Sequence, residues 1–140
     1  MDNRRDFLAM LAAVSAAGAA SPAAAKVTDD VLSGGQAQDL EHPFGKQQIY
    51  YQGPTDQLEV FEGGNLRLKA GMEPHPPHKH PEEEIMLVTE GSGDFSIEGK
   101  ITRVGPGSML YCAADHLHGV KASDSEDLLF YYFKWKKRDS

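Results

Sequence analysis

Five of the six histidines in this chain, His75, His78, His80, His116 and His118, fall in one stretch of it. The densest part reads His78-Lys79-His80-Pro81-Glu82-Glu83-Glu84. On an extended backbone, side chains two apart share a face, so His78 and His80 point the same way. Glu84 has the same parity and opens the apolar run Ile85-Met86-Leu87-Val88. If the intervening turn preserves direction, its carboxylate reaches the same volume. Two imidazoles and a carboxylate converging on one point suit a borderline divalent metal ion. Prolines at 74, 76, 77 and 81 stiffen the segment and lower the entropy lost on ordering it. The competing reading is a solvated, histidine-rich loop beside an acidic run.

The elements that must position these groups read as β. From Gln47 onward, short runs of Val, Ile, Leu, Phe and Tyr alternate with Gly, Pro and Asn punctuation. Strands are expected near 47–51, 57–62, 65–70, 84–89, 93–98, 100–104, 108–113, 117–121 and 127–135. Turns are expected at Gly53-Pro54, Gly63-Gly64-Asn65, Gly91-Ser92-Gly93, Glu98-Gly99-Lys100, Gly105-Pro106-Gly107 and Ser123-Asp124-Ser125. No sustained 3.6-residue period follows Gln47, so an all-β sandwich or barrel is expected. Lys26 to Phe44 is ambiguous; Asp29–Asp39 reads as a short helix interrupted by Gly34-Gly35. The run Leu128–Trp135 is apolar on both faces, which calls for burial between two sheets, an N-terminal cover or a second subunit.

The 140 residues and one cysteine are expected to form one domain, rather than a two-domain enzyme or a disulfide-stapled mini-protein. Its formal charge of -7 disfavours nucleic acid as a partner and argues against adsorption to anionic lipid. Residues 1–25 have the three-part layout of a secretory signal: Arg4-Arg5, an apolar run from Phe7 to Ala20, then Ser21-Pro22-Ala23-Ala24-Ala25. Asn3-Arg4-Arg5-Asp6-Phe7-Leu8 resembles the twin-arginine export signal, although Asn3 and Ala9 depart from that pattern. Cleavage before Lys26 would leave an N-terminal segment, 26–46, and one domain, 47–138, in the periplasm or outside the cell. Removing two arginines and two aspartates leaves the net charge at -7. Cys112 reads as a small buried apolar residue rather than a reactive thiol.

The frame around the histidines resembles the first motif of the cupin superfamily: Gly71, His78, His80, Glu84 and Gly91 all stand at the family's spacing. Gly107 to Val120 resembles the second motif, with Gly107 and His118 matching. Ala113, Asp115 and Ala122 replace the usual Pro, Gly and Asn, which touches loop shape rather than the donor set. The resemblance spans roughly residues 60–135. It implies a double-stranded β-helix, or jelly-roll, barrel in which His78, His80, Glu84 and His118 hold one divalent metal ion. Fe or Mn ranks first, with Ni, Zn or Cu also compatible with imidazole and carboxylate.

Such a site implies a small-molecule ligand or substrate. The leading expectation is a dioxygenase-like oxidoreductase on a small oxygenated organic molecule. Isomerase, decarboxylase or lyase chemistry and a non-catalytic periplasmic binding module stand behind it, as does an inactive barrel, which the retained ligand-type residues disfavour. Tyr111, Glu83 and His116 are candidate helpers, and His75 and His116 fall outside the ligand pattern as rim residues. Pairing of small cupins through sheet faces, with the doubly apolar C-terminal strand, suggests a homodimer.

Overall fold

The computed structural model describes residues 24–139. The expected leader therefore lies outside the described residues except for Ala24 and Ala25. The strands are β1 (Gln38–His42), β2 (Gly45–Gly53), β3 (Leu58–Leu68), β4 (Glu83–Gly91), β5 (Gly93–Ile97), β6 (Lys100–Val104), β7 (Met109–Cys112), β8 (His118–Ala122) and β9 (Leu128–Lys137). They form a six-stranded sheet in the order β1-β2-β3-β9-β4-β7 and a three-stranded sheet in the order β6-β5-β8. Every pairing between them is antiparallel. The last strand, β9, inserts between β3 and β4, so the two halves of the chain close on each other as a jelly-roll barrel. The expected fold class holds.

Side-chain alternation explains which residues meet inside. Along β4, Glu84, Met86 and Val88 are buried, while their neighbours Glu83, Ile85 and Leu87 are half-buried. Along β9, Leu128, Phe130 and Tyr132 point inward. These join Leu66, Leu68, Phe95, Leu110 and Val120 in one apolar core between the sheets. Cys112 is buried there too, as its apolar reading requires.

Two local expectations are corrected. Gly63-Gly64-Asn65 is not a turn: β3 runs unbroken through it and pairs with both β2 and β9. The glycine serves close approach instead, since a Cβ on Gly64 would stand 2.3 Å from the Gln48 carbonyl oxygen and 2.9 Å from the Tyr132 hydroxyl. Nor does Asp29–Asp39 form a helix. It contains one 3-10 turn, Gly34–Gln36, and then enters β1. A glycine pair lowers helix propensity, and the edge of β2 offers Gln38–His42 a ladder instead. The turn at Gly91 is as expected, with φ +80 and a would-be Cβ 1.8 Å from the Asp127 carbonyl oxygen, so only glycine fits.

The N-terminal segment lies against β2. The Tyr51 hydroxyl donates to the Asp30 carbonyl at 3.0 Å, and Gln48 donates to that of Gly34 at 3.1 Å. Phe133 stays 40% exposed beside Tyr131, Tyr50 and Phe61.

Candidate metal centre

Two distant pieces of chain are stapled together before any side chain is considered. The amides and carbonyls of His78 and His118 exchange two hydrogen bonds of 2.9 Å each, an isolated antiparallel bridge outside the main ladders. The Asp115 amide donates to the His80 carbonyl at 2.8 Å. Asp115 replaces a motif glycine, yet it takes the left-handed conformation at φ +61, which aspartate tolerates. Asp115 thus supplies the left-handed backbone position without a glycine, and its amide anchors His80.

The consequence is a cluster. His78, His80 and His118 each offer a ring nitrogen within 4.8 Å of the others. Glu84 adds Oε1, which lies 3.1 Å from His80 Nε2 and 3.1 Å from His118 Nε2. Neighbouring donors around an ion about 2.1 Å away stand roughly 3.0–3.4 Å apart, so these contacts fit shared coordination. The rings are also aimed. His80 Nδ1 lies 3.1 Å from the Glu82 carbonyl and His118 Nδ1 lies 3.0 Å from that of His116. Each Nδ1–H is used there, which leaves Nε2 facing the centre.

Charge supports the same reading. Burial drives His78 down to about 3, helped by repulsion from His75, His118 and His80, so its ring is neutral and able to ligate. Burial also opposes a charge on His80, but hydrogen bonds donated by its ring to Glu82 and Glu84 outweigh it and raise this ring to about 9. Burial likewise opposes a charged Glu84; its bonds to His118 and His80 win and hold it near 2. A proton on His80 therefore stands where an ion would.

The other residues singled out by sequence fall elsewhere. His75 is buried rather than on the rim, its ring 3.7 Å from that of His78 and its Nδ1 2.7 Å from the Pro76 carbonyl. His116 is exposed, and only its carbonyl serves the site. Tyr111 donates to Glu83 at 2.6 Å on the outside of the barrel, so these two helpers lie off the cavity. Parity alone excludes Glu83, which must face opposite to Glu84.

Facing the cluster is a polar wall that the sequence reading missed. The cavity, about 40 Å³, is bounded there by Gln47, Glu62, Tyr132 and Lys134. One water needs roughly 10–15 Å³, so there is room for an ion and a small group. Gln47 donates to the Tyr132 hydroxyl at 2.8 Å, and that hydroxyl donates to Glu62 Oε2 at 2.6 Å. Burial, with Glu62 adding to it, pushes the Tyr132 phenol far above its usual range, so it remains a donor. The available signal was Glu62 and Lys134 at inward parity in strands otherwise apolar inside. Beyond this neck an outer vestibule of about 430 Å³ opens to solvent.

Comparison with known proteins agrees with this architecture. A family model described as AraC-like ligand binding domain matches residues 66–136. The dimethylsulfoniopropionate lyase DddQ of Ruegeria pomeroyi is 35% identical over 51 residues, which are 36% of this chain and 25% of that protein. An RmlC-like cupin from Shewanella frigidimarina superposes with a TM-score of 0.65 at 17% identity, covering 80% of this chain and 95% of the other. KdgF from a Halomonas species does so at 0.64 and 20% identity, covering 80% and 97%.

Proposed function

The chain belongs to the AraC-like ligand binding domain family of the cupin superfamily, and on that premise we propose a metal-dependent enzyme acting on a small oxygenated organic molecule. The observation that carries this is the convergence of three imidazoles and the Glu84 carboxylate on a small cavity that opens to a vestibule. We assign His78, His80, Glu84 and His118 as the ligands of one divalent ion, Fe or Mn by preference. When bound, such an ion supplies a Lewis acid that polarises the oxygens of an enol, hydroxy acid or β-dicarbonyl.

The chain's own residues do the rest. The carbonyls of Glu82 and His116 orient two of the rings, and Gln47 and Tyr132 hold Glu62 as a fixed carboxylate on the facing wall. Met86 and Phe130 close the inner end with apolar surface and limit water. We read the reaction first as dioxygenase-like. A second reading, lyase or isomerase chemistry, draws on the 51-residue likeness to a lyase and on the proton-bearing wall. In a non-catalytic module the same centre would only hold its ligand.

We place the protein in the periplasm or outside the cell, exported through residues 1–25 by the twin-arginine route, which allows ion loading before export. A homodimer through the aromatic face around Phe133 accounts for that exposed surface, and neither nucleic acid nor membrane is a partner of the cleaved chain. The deciding experiment incubates the Fe(II)-loaded protein with catechols, flavonols and β-diketones while recording oxygen uptake, then repeats it without oxygen using hydroxy acids. Uptake supports the dioxygenase, and product without oxygen supports the lyase or isomerase. Neither, with thermal stabilisation by a ligand, contradicts the enzyme and leaves the binding module.

A further inference from the structure

We propose that Lys134 is an anion-recognition residue of this centre and that the substrate is therefore a small organic acid. Its carboxylate would lie against the Lys134 ammonium while its other oxygens face the ion. This rests on the metal-centre reading above and narrows it to a substrate class.

Lys134 is paired in register with Glu62 on one side and Glu84 on the other, so three charged residues stand abreast on the inner faces of β3, β9 and β4. Lysine is among the residues least often placed inside a barrel. Here its side chain is only 13% exposed. Its ion pair with Glu62 spans 4.0 Å, too long for a hydrogen bond, and among the described residues its ammonium makes none. Glu62 does not need it: Oε2 is taken by Tyr132 and Oε1 by Gln52 at 2.9 Å. No fully buried side-chain nitrogen or oxygen among the described residues lacks a partner, so the ammonium must reach open space. Its donors are thus available to whatever occupies that space.

That space is the passage to the centre. Lys134, Glu62, His78 and His80 line both the inner cavity and the outer vestibule, so a molecule entering the centre meets the ammonium together with the histidines. Charge favours an anion there. With a divalent ion bound and the imidazoles neutral, Lys134 and the ion outweigh Glu62 and Glu84 by one positive charge. Farther out, Lys79 balances Glu82, and Glu59 is ion-paired with Lys136. A monoanion closes this balance, whereas a neutral ligand leaves the ammonium poorly solvated and without an acceptor.

The test uses the full chain loaded with Co(II), whose visible spectrum reports ligands entering the centre. Lactate serves as the anionic probe and imidazole as the neutral one. Lys134→Met should raise the lactate Kd at least about tenfold, the scale of a lost charge-assisted hydrogen bond. Lys134→Arg should restore most of it, imidazole affinity should stay unchanged in both variants, and Co(II) loading should not fall in either. Lys134→Gln repeats the measurement should the methionine variant fold poorly. Equal lactate affinity in parent and variant, with full Co(II) loading, overturns the role of Lys134 alone. Equal weakening of lactate and imidazole also overturns it, since that marks a merely structural lysine. Failure of the parent to take up Co(II) overturns the metal centre and this inference with it.

Discussion

Titrating the ion-free protein with Zn(II) across pH probes the balance of charge at the centre. His78 falls to about 3 and Glu84 to about 2, so at neutral pH both are already in their ligating forms. His80 is raised to about 9 and must release a proton before its Nε2 can bind an ion. At pH 7 its neutral form is about 1% of the total, so the proton weakens apparent affinity roughly a hundredfold. Affinity should climb about tenfold per pH unit from 6.5 to 8.5 and flatten above 9. Competition with a chromophoric chelator reads the slope. Calorimetry in two buffers of different protonation enthalpy counts the protons, with about one released per ion at pH 7. Glu82→Gln removes a bond that raises His80, so its plateau should begin at lower pH. An affinity that is flat between pH 6.5 and 8.5 would refute the reasoning, as would uptake without proton release.

Three further outcomes follow from the same contacts. Stability of the ion-free protein should peak near pH 6.5: the contribution of raised His80 is complete below its unfolded value and disappears as pH climbs through 9. On the acid side, depressed His78 removes stability as pH falls from 6.5 toward 3, and depressed Glu84 as it falls from 4.5 through 2; urea melts at several pH values show whether both slopes exist. Gly64→Ala should cost about 2–3 kcal/mol in denaturant unfolding, because the new methyl meets backbone and the Tyr132 hydroxyl; a change below about 0.5 kcal/mol would mean β3 relaxes freely. Tyr132→Phe should destabilise by about 1.5–3 kcal/mol by leaving Glu62 short of a donor, while metal content stays at the parental level; an unchanged denaturation midpoint would contradict it.

Much of this molecule was legible in its sequence because β structure writes itself with a period of two. The parity of His78, His80 and Glu84 placed them on one side, and the turn residues at 91–93, 98–100 and 105–107 separate strands as read. What sequence could not convey is which strands lie side by side. The His78–His118 bridge and the row Glu62–Lys134–Glu84 join positions far apart in the chain, so the polar wall went unseen. Gly63-Gly64 misled for a related reason. A glycine that opens space for a tyrosine from another strand is indistinguishable, in one dimension, from a glycine that turns the chain.

The most direct measurement is a crystal structure of the purified, ion-loaded protein with anomalous diffraction recorded at the metal's absorption edge. The account predicts one strong peak per chain, about 2.0–2.3 Å from ring nitrogens of His78, His80 and His118 and from a Glu84 oxygen. A peak elsewhere, or none where elemental analysis finds a full equivalent of metal, would contradict it.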